Sequence, residues 1–349
     1  MHDLIIIGGG QSALACAYYL RRTQLDYVLL DRQPSCGGAW HHAWDSLTLF
    51  SPAGHSSLPG WWMPKSKGDY PTKAEAIDYL CRYEQRYGFP IERPVEVRQV
   101  EREQEGFVLQ TSKGRYRSRA LISATGTWGA PYFPDVPGRL LFQGVQLHSA
   151  HYQSPAPFRG KRVLIVGEGN SGAQILSELS KVADTAWAVR QPPQFLPDDV
   201  DGRVLFDVAS AKYYAQQKGE PFDAKKFGLG NIVMVPTVKE ARERGALKAK
   251  GMLREICHDG VIWTSGERES FDAIIWCTGF HYATSHLKGL APMDEYGRMA
   301  TEGTRATEVP GLWLVGYGGW TGFASATVIG VGRTARKTAR EAEAYLTSA

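Results

Sequence analysis

Hydrophobic positions along the chain gather into short apolar runs, each followed by a glycine turn and a helix-like pattern. Leu4-Ile5-Ile6-Ile7 reads as a fully buried strand running into Gly8-Gly9-Gly10-Gln11-Ser12-Ala13, and residues 14–20 then carry a helical pattern. A second apolar run, Tyr27-Val28-Leu29-Leu30, ends in Asp31. The same order returns later: Val163-Leu164-Ile165-Val166, then Gly167-Glu168-Gly169-Asn170-Ser171-Gly172, a helical pattern over 173–179, and a strand over 185–189 that ends in Arg190. Each half closes with polar-alternating hairpin strands and a buried strand ending in a small-Thr-Gly turn. In the first half these are 107–110, 115–119 and the run into Ala124-Thr125-Gly126; in the second they are 261–264 and the run into Cys277-Thr278-Gly279. A last apolar strand over 312–315 leads into Gly316-Tyr317-Gly318-Gly319 and a long amphipathic segment to residue 346.

The two glycine turns read as G-x-G-x-x-A and G-x-G-x-x-G at a strand-to-helix junction. The first glycine permits the tight turn, the second lets a pyrophosphate approach the backbone, and the small third residue lets helix and strand pack closely. Asp31 and Arg190 each lie 21 residues beyond the middle glycine of their motif. A carboxylate there accepts hydrogen bonds from a ribose diol, whereas a guanidinium there pairs with a 2′-phosphate. The expected fold class is therefore α/β, with two nested Rossmann-like dinucleotide-binding domains. The first is expected over 1–155 and 277–349; the second, over 156–276, carries a charged, mostly helical insertion at about 200–253. Residues 131–160, rich in proline and glycine, read as a linker.

Composition acts mainly by exclusion. The 349 residues are 43% AVILMFWYC and 22% charged, an ordinary globular balance that rules out disorder and a miniature disulfide scaffold. Forty Lys+Arg against 36 Asp+Glu leave a net charge of +4. No long block of like charge appears, so neither nucleic acid nor a membrane surface is an expected partner. The five cysteines, Cys16, Cys36, Cys81, Cys257 and Cys277, are odd in number and contain no C-x-x-C pair. Neither a disulfide framework nor a metal site is expected from them, and a reducing cytoplasm is the expected location. No run reaches the roughly 18 apolar residues of a membrane span.

Two further motifs change the reading. Phe142-x-Gly144-x-x-x-His148-x-x-x-Tyr152 lies between the modules, and Gly37-Gly38-Ala39-Trp40 follows Asp31. With them the sequence resembles the flavin-containing monooxygenases over essentially its whole length. The short length, Leu49-Phe50-Ser51-Pro52, Ser57-Leu58-Pro59-Gly60-Trp61 and residues 199–206 look like a compact bacterial subgroup of that family, with relatives beside arsenic-resistance genes. The resemblance implies FAD in the first module and NADPH or NADH in the second. It also implies oxygenation of a small molecule by O2: sulfides, and some ketones by Baeyer-Villiger oxidation. The hard chemistry is the cofactor's, so no catalytic triad is expected.

Carried onto this chain, the resemblance assigns Gly8, Gly10, Gln11, Ser12, Ala13, Asp31, Arg32, Gly38, Trp40, Ala124, Thr125, Gly126, Gly316 and Phe323 to FAD. The nicotinamide cofactor takes Gly167, Gly169, Asn170, Ser171, Gly172, Arg190, Gln191, Cys277, Thr278 and Gly279. Three departures stand out. Ser51 occupies the flavin-proximal place where longer members carry an asparagine, Gln191-Pro192 adds no second cation to Arg190, and Gly319 replaces an acid common in the subgroup. His148 and Tyr152 are expected to be structural, and Cys36, without a nearby partner in sequence, a bystander. Trp40 is expected to line a pocket; Trp44, Trp61, Trp62 and Trp320 fit a core equally well. The leading reading is a monooxygenase. A flavin-dependent NAD(P)H oxidase or reductase without oxygen insertion and a non-catalytic nucleotide sensor are the alternatives, and homodimerisation is left open.

Overall fold

The computed structural model describes residues 1–218 and 231–348. Contacts divide the chain into two compact units, one formed by Met1–His41, Ser51–Ala130 and His281–Ala349, the other by His42–Phe50 and Pro131–Phe280.

The first unit starts with β1 (His2–Ile7), α1 (Gln11–Leu20) and β2 (Tyr27–Leu30), with β1 parallel to β2 and Ile5 opposite Val28. Leu4, Ile5, Ile6 and Leu29 are wholly buried, as continuous apolar strands covered on both faces must be. Next comes α2 (Lys73–Tyr87), whose start is fixed by a reciprocal capping box between Thr72 and Glu75 and whose end is Gly88 in the left-handed region. The backbone N–H groups of Thr72 and Lys67 hold the Glu75 carboxyl down at about 2. β3 (Ile91–Glu92) adds a short parallel edge beside β2, and β4 (Val97–Glu103), β5 (Gly106–Thr111) and β6 (Gly114–Ser123) form antiparallel hairpins. The polar start of β6 serves the hairpin. Its apolar end then runs parallel to β1, with Leu121 opposite Ile5.

The second unit holds β7 (Val145–His148), β8 (Arg162–Val166), α3 (Asn170–Leu179), β9 (Asp184–Ala188), α4 (Gly202–Lys218) and α5 (Pro236–Glu243). It continues with β10 (Ala249–Lys250), β11 (Leu253–Cys257), β12 (Gly260–Trp263), β13 (Arg268–Ser270) and β14 (Ala273–Trp276). A parallel sheet runs β10-β9-β8-β14-β7, and β11-β12-β13 is a separate antiparallel sheet. The chain then returns to the first unit with β15 (Thr301–Glu302), β16 (Arg305–Ala306), β17 (Leu312–Leu314) parallel to β6, and α6 (Val331–Thr347), which packs along α1. The sheet of this unit runs β15-β16-β17-β6-β1-β2-β3. Among the described residues no helix is long and apolar enough to cross a membrane.

Three expectations are corrected here. Residues 131–155 and 277–280 group with the second unit rather than the first. Within the former stretch, the segment read as a linker supplies β7, whose residues pair in parallel with β14, Val145 opposite Ala273. Residues 42–50 group there too, because Trp44 is buried in that unit's core and Asp45 N–H donates to the Gln153 carbonyl. The third correction concerns Cys36, which is bonded to Cys81 on α2, 45 residues away in sequence. Counting cysteines and looking for neighbours in sequence missed a pair that only the packing of the loop after β2 against α2 brings together. The cysteine argument for a reducing compartment falls with it. Of the expected insertion at about 200–253, α4 and α5 are helical, and residues 219–230 lie outside the described residues.

Candidate functional site

The glycines of the two turns are glycine for different reasons. A Cβ on Gly8 would meet the Ala124 carbonyl oxygen at 2.6 Å, with φ at +119°, and one on Gly167 would meet the Cys277 carbonyl oxygen at 2.3 Å, with φ at +126°. Sterics and backbone conformation require glycine at both. Position three is also explained by packing: Ala13 is fully buried, and a Cβ on Gly172 would lie 2.2 Å from the Gly167 carbonyl oxygen. The middle glycines are not. A Cβ on Gly10 would have no neighbour closer than Gly38 Cα at 3.9 Å, and one on Gly169 would have none within 4 Å. Their φ values, −85° and −90°, suit any residue.

These same two residues are the N-caps of α1 and α3. Neither helix receives a side-chain cap, and neither has an acid in its first turn, in contrast to the fully capped α2. Each start thus presents free backbone N–H groups and a positive dipole end beside open space, the chemistry that binds a pyrophosphate. The residues present fit two dinucleotides, one per unit.

Around the first turn the loops gather within one unit. Gln11, the first residue of α1, donates through Nε2 to the Ala326 carbonyl at 2.6 Å and accepts from the Trp40 indole N–H at 3.2 Å. Gly38 lies against Gly10, and Gly316 against the buried Ser12. Arg32 and Phe323 are exposed. Asp31, 4% exposed at the end of β2, accepts from Arg93 Nε at 2.7 Å and from the Gln33 backbone N–H at 3.2 Å. Arg93 in turn closes on both oxygens of Glu84, at 2.6 and 2.9 Å. Two oxygens offer about four acceptor positions, so the carboxylate keeps capacity for a ribose diol.

Beneath the Ala124-Thr125-Gly126 turn lies a buried polar network that no sequence motif announces. The Tyr317 hydroxyl is 2.7 Å from both Ser123 Oγ and Thr125 Oγ1, Thr125 Oγ1 donates to the Ala283 carbonyl, and His286 Nε2 is 3.2 Å from Ser123 Oγ. Burial lowers the His286 pKa to about 4 and raises that of Tyr317, so both are uncharged at neutral pH.

In the second unit Arg190 is exposed and pairs with Glu168 at 3.6 Å. Gln191 is exposed beside it, while Cys277 is buried, which pushes its thiol pKa up. Thr278 Oγ1 donates to the Tyr132 carbonyl at 2.5 Å. Both ends of the Asn170 amide hold the segment after the undescribed residues, Nδ2 donating to the Asn231 carbonyl and Oδ1 accepting from Val233 N–H.

The fingerprint between the modules is explained as the attachment of β7. Phe142 is buried in the core, and a Cβ on Gly144 would meet the Asp272 carbonyl oxygen at 2.5 Å. His148 Nδ1 accepts from Ala150 N–H, with burial holding its pKa at about 4. Tyr152 stacks on Phe158 and is buried near Glu178; burial first, then that carboxylate, raise its pKa.

Ser51 is 3% exposed, and its hydroxyl is engaged inside its own loop, 2.7 Å from Ser56 Oγ and 3.4 Å from the His55 carbonyl oxygen. Of the tryptophans, Trp44 is core and Trp320 packs on Tyr282 and Tyr317. Trp61 packs against Tyr79, whereas Trp62 is exposed.

Two dinucleotide modules nested in one chain define a flavoprotein oxidoreductase drawing electrons from a nicotinamide cofactor. Comparison with known proteins makes this specific. Residues 5–204 match the pyridine nucleotide-disulphide oxidoreductase family. A flavin-containing monooxygenase from Stenotrophomonas maltophilia is 50% identical, with 99% of this chain and 98% of that chain covered and a TM-score of 0.90. An uncharacterized CzcO-like oxidoreductase of Geobacillus kaustophilus is 29% identical over 95% of this chain and 96% of its own. The indole-3-pyruvate monooxygenase YUCCA1 of Oryza sativa is 28% identical over 97% and 90%. The chain belongs to the pyridine nucleotide-disulphide oxidoreductase family and, within it, to the flavin-containing monooxygenases. It is a flavin-dependent NAD(P)H monooxygenase acting on a small molecule with O2.

Proposed function

We propose that this monooxygenase uses NADPH and NADH to convert thioethers to sulfoxides, with ketones, oxidised in the Baeyer-Villiger sense, as a second substrate class. The observation that carries the reading is the pair of uncrowded middle glycines, Gly10 and Gly169, each opening an uncapped helix. The first turn, with Asp31 and the Gln11–Trp40 contact, would hold FAD; the second, with Arg190, would hold the nicotinamide cofactor. When bound, the flavin supplies hydride acceptance and oxygen activation. The protein's part is to hold, orient and exclude water.

A soft nucleophile suits the flavin-binding unit because a sulfur lone pair needs no protein base to deprotonate it. In the Ser123–Thr125–Tyr317–His286 network burial weakens His286 as a base, to a pKa of about 4, and keeps Tyr317 protonated, which favours a substrate that needs no deprotonation. A second reading, an oxidase that releases hydrogen peroxide, is favoured by Ser51, whose one proton is already engaged by its own loop. The two separate in one assay: NADPH consumption with and without methyl phenyl sulfide, quantifying sulfoxide against hydrogen peroxide. Sulfoxide is expected, with part of the reducing equivalents escaping as peroxide. If no sulfoxide forms under any condition, the oxidase reading replaces this one.

A further inference from the structure

In both glycine turns, the residue between the first two motif glycines lies against a residue one or two positions past the second strand. In the first unit that residue is Gly9, where a Cβ would come within 2.2 Å of Asp31 Oδ2. The corresponding pair in the second unit is Glu168 and Arg190. Glu168 Oε1 is 3.6 Å from Arg190 Nη2, and Oε2 accepts from the Arg190 backbone N–H at 3.4 Å. Their side chains are 31% and 77% exposed, so the pair is open to an incoming nucleotide.

The end of the second strand faces the adenosine ribose in a Rossmann module. An acid at that edge accepts from the 2′- and 3′-hydroxyls, and an arginine there pairs with a 2′-phosphate. This chain places one of each at the edge, in contact: the cation two residues past β9 and the carboxylate on the glycine turn itself. We propose that Glu168 is the residue that sets nicotinamide cofactor preference. Its carboxylate offsets the Arg190 charge and repels a 2′-phosphate, while it accepts a hydrogen bond from the free 2′-hydroxyl of NADH. A chain with Arg190 alone would favour NADPH strongly; the pair admits both. This rests on the second unit being the nicotinamide cofactor's domain.

The test is calorimetric titration of the FAD-loaded protein with 2′,5′-ADP and with 5′-AMP, which report the 2′-phosphate without turnover. For an exposed pair meeting a phosphate, Glu168→Gln is expected to tighten 2′,5′-ADP by about three- to tenfold while leaving 5′-AMP unchanged or weaker. The gain should shrink as salt rises toward ~0.5 M, because exposed charges are screened. Glu168→Ala should behave alike toward 2′,5′-ADP, and Arg190→Ala should lose most of the preference for it. If Glu168→Gln and Glu168→Ala leave the ratio of the two affinities unchanged, the proposal is overturned while the domain reading stands. If the wild-type protein, with normal FAD content, binds neither nucleotide, the domain reading fails and the proposal falls with it.

Discussion

Arg93 grips Asp31 from behind: its Nε donates to Asp31 Oδ2 at 2.7 Å while its two terminal nitrogens close on both oxygens of Glu84. The carboxylate proposed for the FAD ribose is therefore oriented before any ligand arrives. Both side chains are nearly buried, at 12% and 5% exposure, so removing the arginine strands a buried charge. Arg93→Leu should cost about 3–5 kcal/mol of stability and also lower FAD occupancy. Asp31→Asn, which keeps the shape, should weaken FAD by roughly ten- to a hundredfold, from the loss of charge-assisted bonds. Chemical denaturation and flavin content after gel filtration read the two effects. Full flavin retention by Asp31→Asn would remove Asp31 from the ribose site.

The contrast between first and middle glycines gives a cleaner test of the cofactor sites. Gly10→Ala meets only an ordinary contact, Gly38 Cα at 3.9 Å, so the protein should fold with a melting temperature near wild type yet lose FAD. Gly8→Ala, by contrast, is strained by φ of +119° and by the Ala124 carbonyl at 2.6 Å, and should fail to fold or unfold far more readily. Gly169→Ala should keep FAD while weakening NADPH and NADH together. Circular dichroism with flavin absorbance checks folding and FAD content in all three, titration with NADPH and NADH reads the Gly169→Ala loss, and a Gly10→Ala protein that stays yellow counts against the first site.

The Cys36–Cys81 bond ties the loop carrying Gly37, Gly38 and Trp40 to α2 across a 45-residue separation. In the chain-entropy picture, closing a loop of that size is worth up to about 4 kcal/mol. Cys81→Ser should lower stability toward that limit and loosen flavin retention, because the loop next to Gly10 loses its tether. Mass spectrometry of the alkylated protein before and after reduction establishes the bond, and parallel urea melts give its contribution.

His286 makes stability depend on pH. Burial holds its pKa at about 4 in the folded chain, against about 6.5 when unfolded. Between those values the unfolded state binds the extra proton, so stability is full above about pH 6.5 and falls as pH drops toward 4. Each such histidine contributes a slope of at most about 1.4 kcal/mol per pH unit, and His148, also held at about 4, adds a second. His286→Asn should flatten the dependence over that window. An unchanged slope in the variant would mean that His286 is not a source of the acid sensitivity.

What the sequence determined by itself was local. The continuous apolar runs that became β1, β2, β8 and β14 are legible because a strand buried on both faces needs unbroken hydrophobicity. The two glycine turns are legible because backbone conformation and close approach constrain residue type within a few positions. What only the tertiary structure decided is the set of contacts between residues far apart in sequence. Asp31 meets Arg93 62 residues on, Ser123 meets Tyr317 across 194, and Cys36 meets Cys81 across 45. A stretch that read as a linker became the edge strand β7, because its backbone groups find partners in β14. Hydrophobic periodicity reports which face of an element is buried, not which element covers it, so the partners of Asp31, Cys36 and Tyr317 come from packing alone.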